Sequence, residues 1–254
     1  PGTYFFFVGT DPATGQEVYR TDGTTSGTIL LKDVYPGSKS GYRGVSAAVN
    51  NTEFFFAGNN GADGTELWKT NGTPAGTVMV VDINPGPPDG FASGTNGYSF
   101  KNLFFFRGNT PDTGMEPWVS DGTSAGTYTL KDAEAGSGSS LNIKYAISNN
   151  GELYFLIFDD YLFSDVPGKL FKTKGSPAST TFIKAIGEEF NSHHYHSFLI
   201  YDNKVYFWER LNHFADNLWV TDGTDAGTHS IFQGGADGAI SYFQVINDHM
   251  LFTG

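Results

Sequence analysis

The stretch Thr21-Asp22-Gly23-Thr24-Thr25-Ser26-Gly27-Thr28 recurs as Thr70 to Thr77, as Ser120 to Thr127 and as Thr221 to Thr228, with a degraded copy, Thr173-Lys174-Gly175-Ser176-Pro177-Ala178-Ser179-Thr180. With Asp22, Asn71, Asp121, Lys174 and Asp222 taken as equivalent, the five copies step by 49, 50, 53 and 48 residues. Other positions keep that phase. Three residues before each anchor stands an aromatic: Tyr19, Trp68, Trp118, Phe171, Trp219. Five residues before it the series is Glu17, Glu66, Glu116, Lys169, Asn217. Each copy opens on an aromatic run, Tyr4 to Phe7, Phe54 to Phe56, Phe104 to Phe106, Tyr154-Phe155 and Tyr206-Phe207, and a sixth opening, Met250-Leu251-Phe252, closes the sequence. A period near fifty is in the range of propeller blades.

The second copy reads most clearly as short strands. Glu53 to Ala57 is the first, Glu66 to Thr70 the second, and the Asn71-Gly72 turn, with Gly supplying positive φ at low cost, leads into a third at Thr77 to Asp82. Pro85-Gly86-Pro87-Pro88 breaks the ladder, and the variable stretch Gly90 to Phe100 is expected to supply a fourth strand. The Phe-Phe-Phe runs are apolar at successive positions, whereas a half-buried strand alternates; both faces of these strands must therefore be covered. Radially stacked four-stranded blades meet that demand and leave only short edges. The expected fold is an all-β propeller spanning residues 1–254, with blades at about 3–51, 52–101, 102–151, 152–203 and 204–249, and 250–254 as an extra or closing strand. A β-solenoid or hairpin array is the alternative.

Composition agrees and excludes much. Thirty-three Gly and 11 Pro in 254 residues leave little room for uninterrupted helices, which rules out a helical bundle. The absence of Cys removes disulfides, thiolate metal sites and thiol nucleophiles. A net charge of −12, from 27 acidic and 15 basic residues, argues against nucleic-acid partners, since phosphate contacts need clustered Lys and Arg. No apolar window is long enough to insert into a membrane as a helix. The start at Pro1, without Met, is expected of a processed or partial chain, one section of a longer array.

At Glu66-Leu67-Trp68-Lys69-Thr70-Asn71-Gly72-Thr73, followed by Val81-Asp82-Ile83-Asn84-Pro85-Gly86, the chain resembles the bacterial ELWxxDGT repeat family, and the similarity covers almost its whole length. The resemblance implies tandem propeller-like blades in large secreted or surface proteins, with no single activity attached. The fourth copy departs most, with Lys174 at the Asp position and Ser179 for the second Gly.

Candidate functional residues fall into four groups. The turn residues Asp22, Asn71, Asp121 and Asp222 suit structural capping of their own loop amides; calcium is the alternative, although no loop offers several carboxylates at alternating spacing. The aromatics Trp68, Trp118 and Trp219 suit packing between blades or, at a blade end, stacking against sugars. Binding residues are expected in the variable loops 59–65, 109–115, 159–169 and 209–216, with Asn59, Asn109, Asp159 and Asp160 as candidates. In the cluster His193-His194-Tyr195-His196, His194 and His196 would share a strand face as a two-nitrogen metal arm, although a solvated or pH-responsive loop explains the cluster as well. No nucleophile elbow, His-Glu-x-x-His or phosphate loop is present, and no cofactor is implied.

The expected function is non-catalytic: an extracellular or cell-surface propeller that presents blade-edge loops to glycans, lectin-like, or to another surface protein. The alternatives are a propeller glycoside hydrolase with carboxylates around its channel, and an architectural section of a filament or adhesin that self-associates.

Overall fold

The computed structural model describes residues 4–49, 52–92, 97–133, 136, 141–159, 167–187, 194–212, 215–234, 242–246 and 249–253. They fall into two compact units, Pro1–Ser139 and Ser140–Gly254.

The first unit holds three antiparallel sheets. One has three strands, β1 (Phe5–Asp11), β2 (Gly15–Thr21) and β3 (Ile29–Leu30). The next two have four each: β4 (Tyr42–Val49), β5 (Glu53–Asn59), β6 (Thr65–Thr70) and β7 (Val78–Val81); then β8 (Tyr98–Phe100), β9 (Leu103–Thr110), β10 (Gly114–Ser120) and β11 (Thr127–Thr129). In the second unit, β12 (Leu141–Asn149), β13 (Glu152–Asp159), β14 (Gly168–Thr173) and β15 (Thr181–Ile186) form the fourth sheet. The fifth contains β16 (His194–Tyr201), β17 (Lys204–Asn212), β18 (Ala215–Thr221) and β19 (His229–Gln233), and a two-stranded sixth pairs β20 (Tyr242–Ile246) with β21 (His249–Thr253). Every sheet is an open meander with strands in chain order.

The sheets correct the expected strand phase. The variable stretch does not add a fourth strand to the second copy: Tyr98–Phe100 pairs with β9, so each four-stranded sheet begins one strand before its aromatic run. Tight hairpins cause this. Asn150 and Gly151 have φ of 50° and 74°, and Asp202 and Asn203 have 45° and 62°, the positive values that two-residue hairpin turns require at their centre. Likewise the strand expected at 250–254 pairs antiparallel with β20.

Both faces of the interior aromatic strands are covered as the runs demand. Phe55, Phe56, Phe104, Phe105 and Phe106 are fully buried, and Phe55 stacks on Phe104 from the adjacent sheet at 5.3 Å. The first run differs. Phe5 is 72% and Phe7 39% exposed, whereas Phe6 between them stacks on Phe54 of the second sheet, so only one face of β1 is covered among the described residues.

The Asp-Gly-Thr turn owes its persistence to one hydrogen-bond frame. The hydroxyls of Thr70 and Thr77 lie 2.7 Å apart, and the Gly72 amide donates to Thr70 Oγ1; the same pair and the same amide bond recur in all five copies. The second Gly answers to the anchor residue. A Cβ on Gly27, Gly76, Gly126 or Gly227 would fall on the side chain of Asp22, Asn71, Asp121 or Asp222. In the fourth copy Lys174 removes that side chain, and Ser179 fills the space, its hydroxyl accepting from the amides of Lys174 and Ser176. The double loss is therefore one coupled change. Lys174→Asp alone is expected to destabilise the chain and Ser179→Gly to relieve it, with a coupling of about 1 kcal/mol in a denaturation double-mutant cycle.

Candidate functional site

The glutamate series turns out to be a buried latch. Glu17, Glu66 and Glu116 lie inside the protein, and each carboxylate reaches the loop that follows the third strand of its repeat. Glu66 Oε2 accepts from the Ile83 amide at 2.9 Å and Oε1 from the Gly90 amide at 2.7 Å; Glu17 accepts from Gly41 at 2.7 Å, and Glu116 from Ala133 at 2.9 Å. The partners sit at equal offsets, which makes this the repeat's own device. Gly90 is required by it, since a Cβ there would lie 2.5 Å from both Glu66 carboxylate oxygens. Burial pushes Glu66 up to about 8 and Glu17 to about 7; the loop amides oppose the rise, and Asp82 and Asp33 add to it.

The aromatic series packs sheet against sheet. Trp68 is only 5% exposed and lies in a cluster with Val18, Leu31 and Val34 of the first repeat, which leaves it no open face for a ligand. Trp118 packs in the same manner on the core around Phe55, Leu67 and Ile83. Both indoles cover a glycine. A Cβ on Gly58 or Gly108 would stand 2.7 Å from Trp68 or Trp118 Cδ1, and each indole Nε1 is buried without a hydrogen-bond partner.

The fifth repeat breaks the pattern in three places at once. Asn217 replaces the latch glutamate, Glu209 replaces the glycine beneath the indole, and Gly234 stands where Val34, Ile83 and Ile186 fill the equivalent position with buried side chains. A shorter polar side chain and a missing apolar one leave a cavity of about 390 Å³, lined by Ala185, Gly187, Asn217, Trp219, Ser230, Gln233 and Gly234. Trp219 is half-buried there. Its Nε1 donates to Glu209 Oε2 at 3.0 Å, and its ring lies within 5° of parallel to Phe207, where Trp68 is tilted 30° from Phe56. Asn217 is 6% exposed, and its Oδ1 has no hydrogen-bond partner. A buried amide oxygen without a donor is an unmet acceptor next to an aromatic ring.

The other candidates disperse. The turn side chains of Asp22, Asn71, Asp121 and Asp222 each accept from the amide and hydroxyl of the Thr two residues on, which holds Asp22 and Asp222 below the usual carboxylate range. Asn59 Oδ1 accepts from the Gly61 amide and so shapes its own loop, and Asn109 Nδ2 donates to the Asp89 carbonyl, tying its loop to the segment after β7. Asp159 ends β13, with its side chain outside the described part, and Asp160 lies outside the described residues. His194 and His196 lie on β16, opposite Arg210 and Trp208 of β17, with their side chains outside the described part. Among the described residues no group of three or more His, Cys, Asp or Glu side chains is arranged to hold a metal ion, and no helix is long and apolar enough to cross a membrane.

Sequence reasoning had Trp219, the series ending in Asn217 and the loop 209–216 in view, but gave Asn217 and Glu209 no joint role and did not single out Gly234. The signal was present: the fifth copy is the one in which the glutamate and the apolar residue seventeen positions after it are lost together.

No family model matches the chain, and no curated protein matches it. Among solved structures it is similar to puromycin hydrolase, at 14% identity and a TM-score of 0.51, over 96% of this chain and 39% of that one. It also aligns with TolB from Acinetobacter baumannii, at 11% identity and a TM-score of 0.44, over 92% of this chain and 53% of that one. A prolyl endopeptidase aligns at 12% identity and a TM-score of 0.48, over 91% and 33%. The chain thus spans about two fifths of the puromycin hydrolase it matches and about half of TolB. The class is that of all-β proteins of four-stranded antiparallel sheets with propeller-like structural neighbours.

Proposed function

We propose that the chain is a non-catalytic, extracellular or cell-surface propeller section that binds glycans. The observation that carries this reading is the cavity beside Trp219, where the repeat gives up a latch and a core side chain and leaves an aromatic ring beside an unpaired amide oxygen. Such a pairing of an apolar face with a few placed polar groups is what a small-ligand site requires. The ELWxxDGT resemblance at Glu66 to Thr73 supports the secreted or surface location. The regular repeats supply the frame, and the irregular fifth supplies the site. The test is a glycan array followed by incubation with the polysaccharides that score: binding without turnover is expected, and release of reducing ends would replace this reading with a hydrolase.

A further inference from the structure

We propose that the Trp219 cavity takes an uncharged pyranose, as a monosaccharide or the end of a short chain, a statement that rests on the glycan-binding reading above. Size is the first argument. A volume of about 390 Å³ stands at the lower end of the roughly 300–1,000 Å³ of small-molecule sites, too little for a long chain to be enclosed.

Chemistry is the second. The half-buried indole of Trp219 offers an apolar surface for the C–H face of a sugar ring, and its Nε1 is already committed to Glu209. A hydroxyl donating to Asn217 Oδ1 would satisfy an atom that is now buried and unpaired. Ser230 Oγ donates to the Phe232 carbonyl, which leaves its oxygen lone pairs to accept from a second hydroxyl, and Gln233 offers both a donor and an acceptor at the mouth.

Charge is the third. The described lining carries no Lys, Arg, Asp or Glu, the buried Glu209 carboxyl is held at the edge of the ring by the Trp219 Nε1–H, and the whole chain bears −12. A carboxylated or sulfated sugar would bring a negative charge into a partly dry cavity with no cation to pair it. An ammonium sugar would find no carboxylate in that lining to offset its lost hydration. The neutral ring carries neither cost.

Isothermal calorimetry on the intact chain, with methyl glycosides of glucose, galactose and mannose, their uronic acids and glucosamine as probes, tests this. At least one neutral glycoside is expected to bind at least tenfold tighter than its uronic acid and than glucosamine. Asn217→Leu is expected to weaken that binding at least tenfold, and Gln233→Ala, a change at an exposed side chain that leaves folding intact, several-fold. Equal or tighter binding of a charged sugar would overturn the inference while leaving the glycan-binding reading in place. Neutral-sugar binding unaffected by both substitutions would overturn the site, and an array with no bound glycan would overturn the reading on which it rests.

Discussion

Glu66→Ala is expected to destabilise the fold by about 3 kcal/mol or more, because it leaves the buried amides facing that carboxyl without an acceptor, each such loss costing about 1–3 kcal/mol. The bonds at stake run to Ile83 and Gly90. Glu66→Gln, which keeps one acceptor oxygen but turns an NH2 donor toward the other amide, is expected to cost about 1–3 kcal/mol, less than Glu66→Ala. The same latch sets a pH dependence. Its folded pKa of about 8, and about 7 for Glu17, lie above the ordinary value of 4.5, so the folded state binds more protons than the unfolded one. The stability these groups contribute is fully present below the unfolded value and is lost as pH rises through the folded ones. Denaturant midpoints are expected to fall by the equivalent of several kcal/mol, ~6 at most, between about pH 5 and about pH 9, and Glu66→Gln to flatten that slope. A midpoint that rises across the interval would contradict the latch as described. Asp22 and Asp222 act in the opposite sense, since their lowered pKa makes their contribution fade as pH falls below the ordinary value of 3.8.

Trp68→Ala is expected to cost about 3–5 kcal/mol, the range for emptying a buried large aromatic site. The indole fills the seam between the first and second sheets against Val18, Leu31 and Val34, and Gly58 is flat beneath it, so nothing can collapse into the gap without moving a strand. Trp219→Ala is expected to cost about 2 kcal/mol, because its ring is only half-buried beside a cavity that already exists. The two variants part in what they do to ligand: Trp219→Ala abolishes sugar binding in a folded protein, and Trp68→Ala lowers the unfolding midpoint while leaving the residual folded fraction able to bind. Equal destabilisation by both would mean that Trp219 is a packing residue like the rest.

Much of the frame was legible because local chemistry alone specifies it. The Asp-Gly-Thr turn is closed by its own hydroxyl pair, and the Phe runs announce strands covered on both faces. The strand phase was not legible from the repeat, since a periodic sequence looks the same wherever one chooses to cut it. The hairpins at Asn150-Gly151 and Asp202-Asn203 decide the cut, and Asn-Gly is a turn signal strong enough to join the strand before it to the aromatic run that follows. The latch was half visible. A glutamate in phase with the repeat could be read, but its burial depends on amides 17 and 24 residues downstream, in a loop whose course no pattern rule supplies. The cavity was legible least of all, because it is made by what two substituted positions, Asn217 and Gly234, no longer fill.

The indole N–H cross-peaks of the four tryptophans in a 1H–15N spectrum, followed during titration with the neutral glycoside that binds tightest, test the central claim most directly. The account predicts a saturable shift of the Trp219 peak, with those of the buried Trp68 and the packed Trp118 unmoved. A shift at Trp68 or Trp118 with Trp219 unchanged would contradict it.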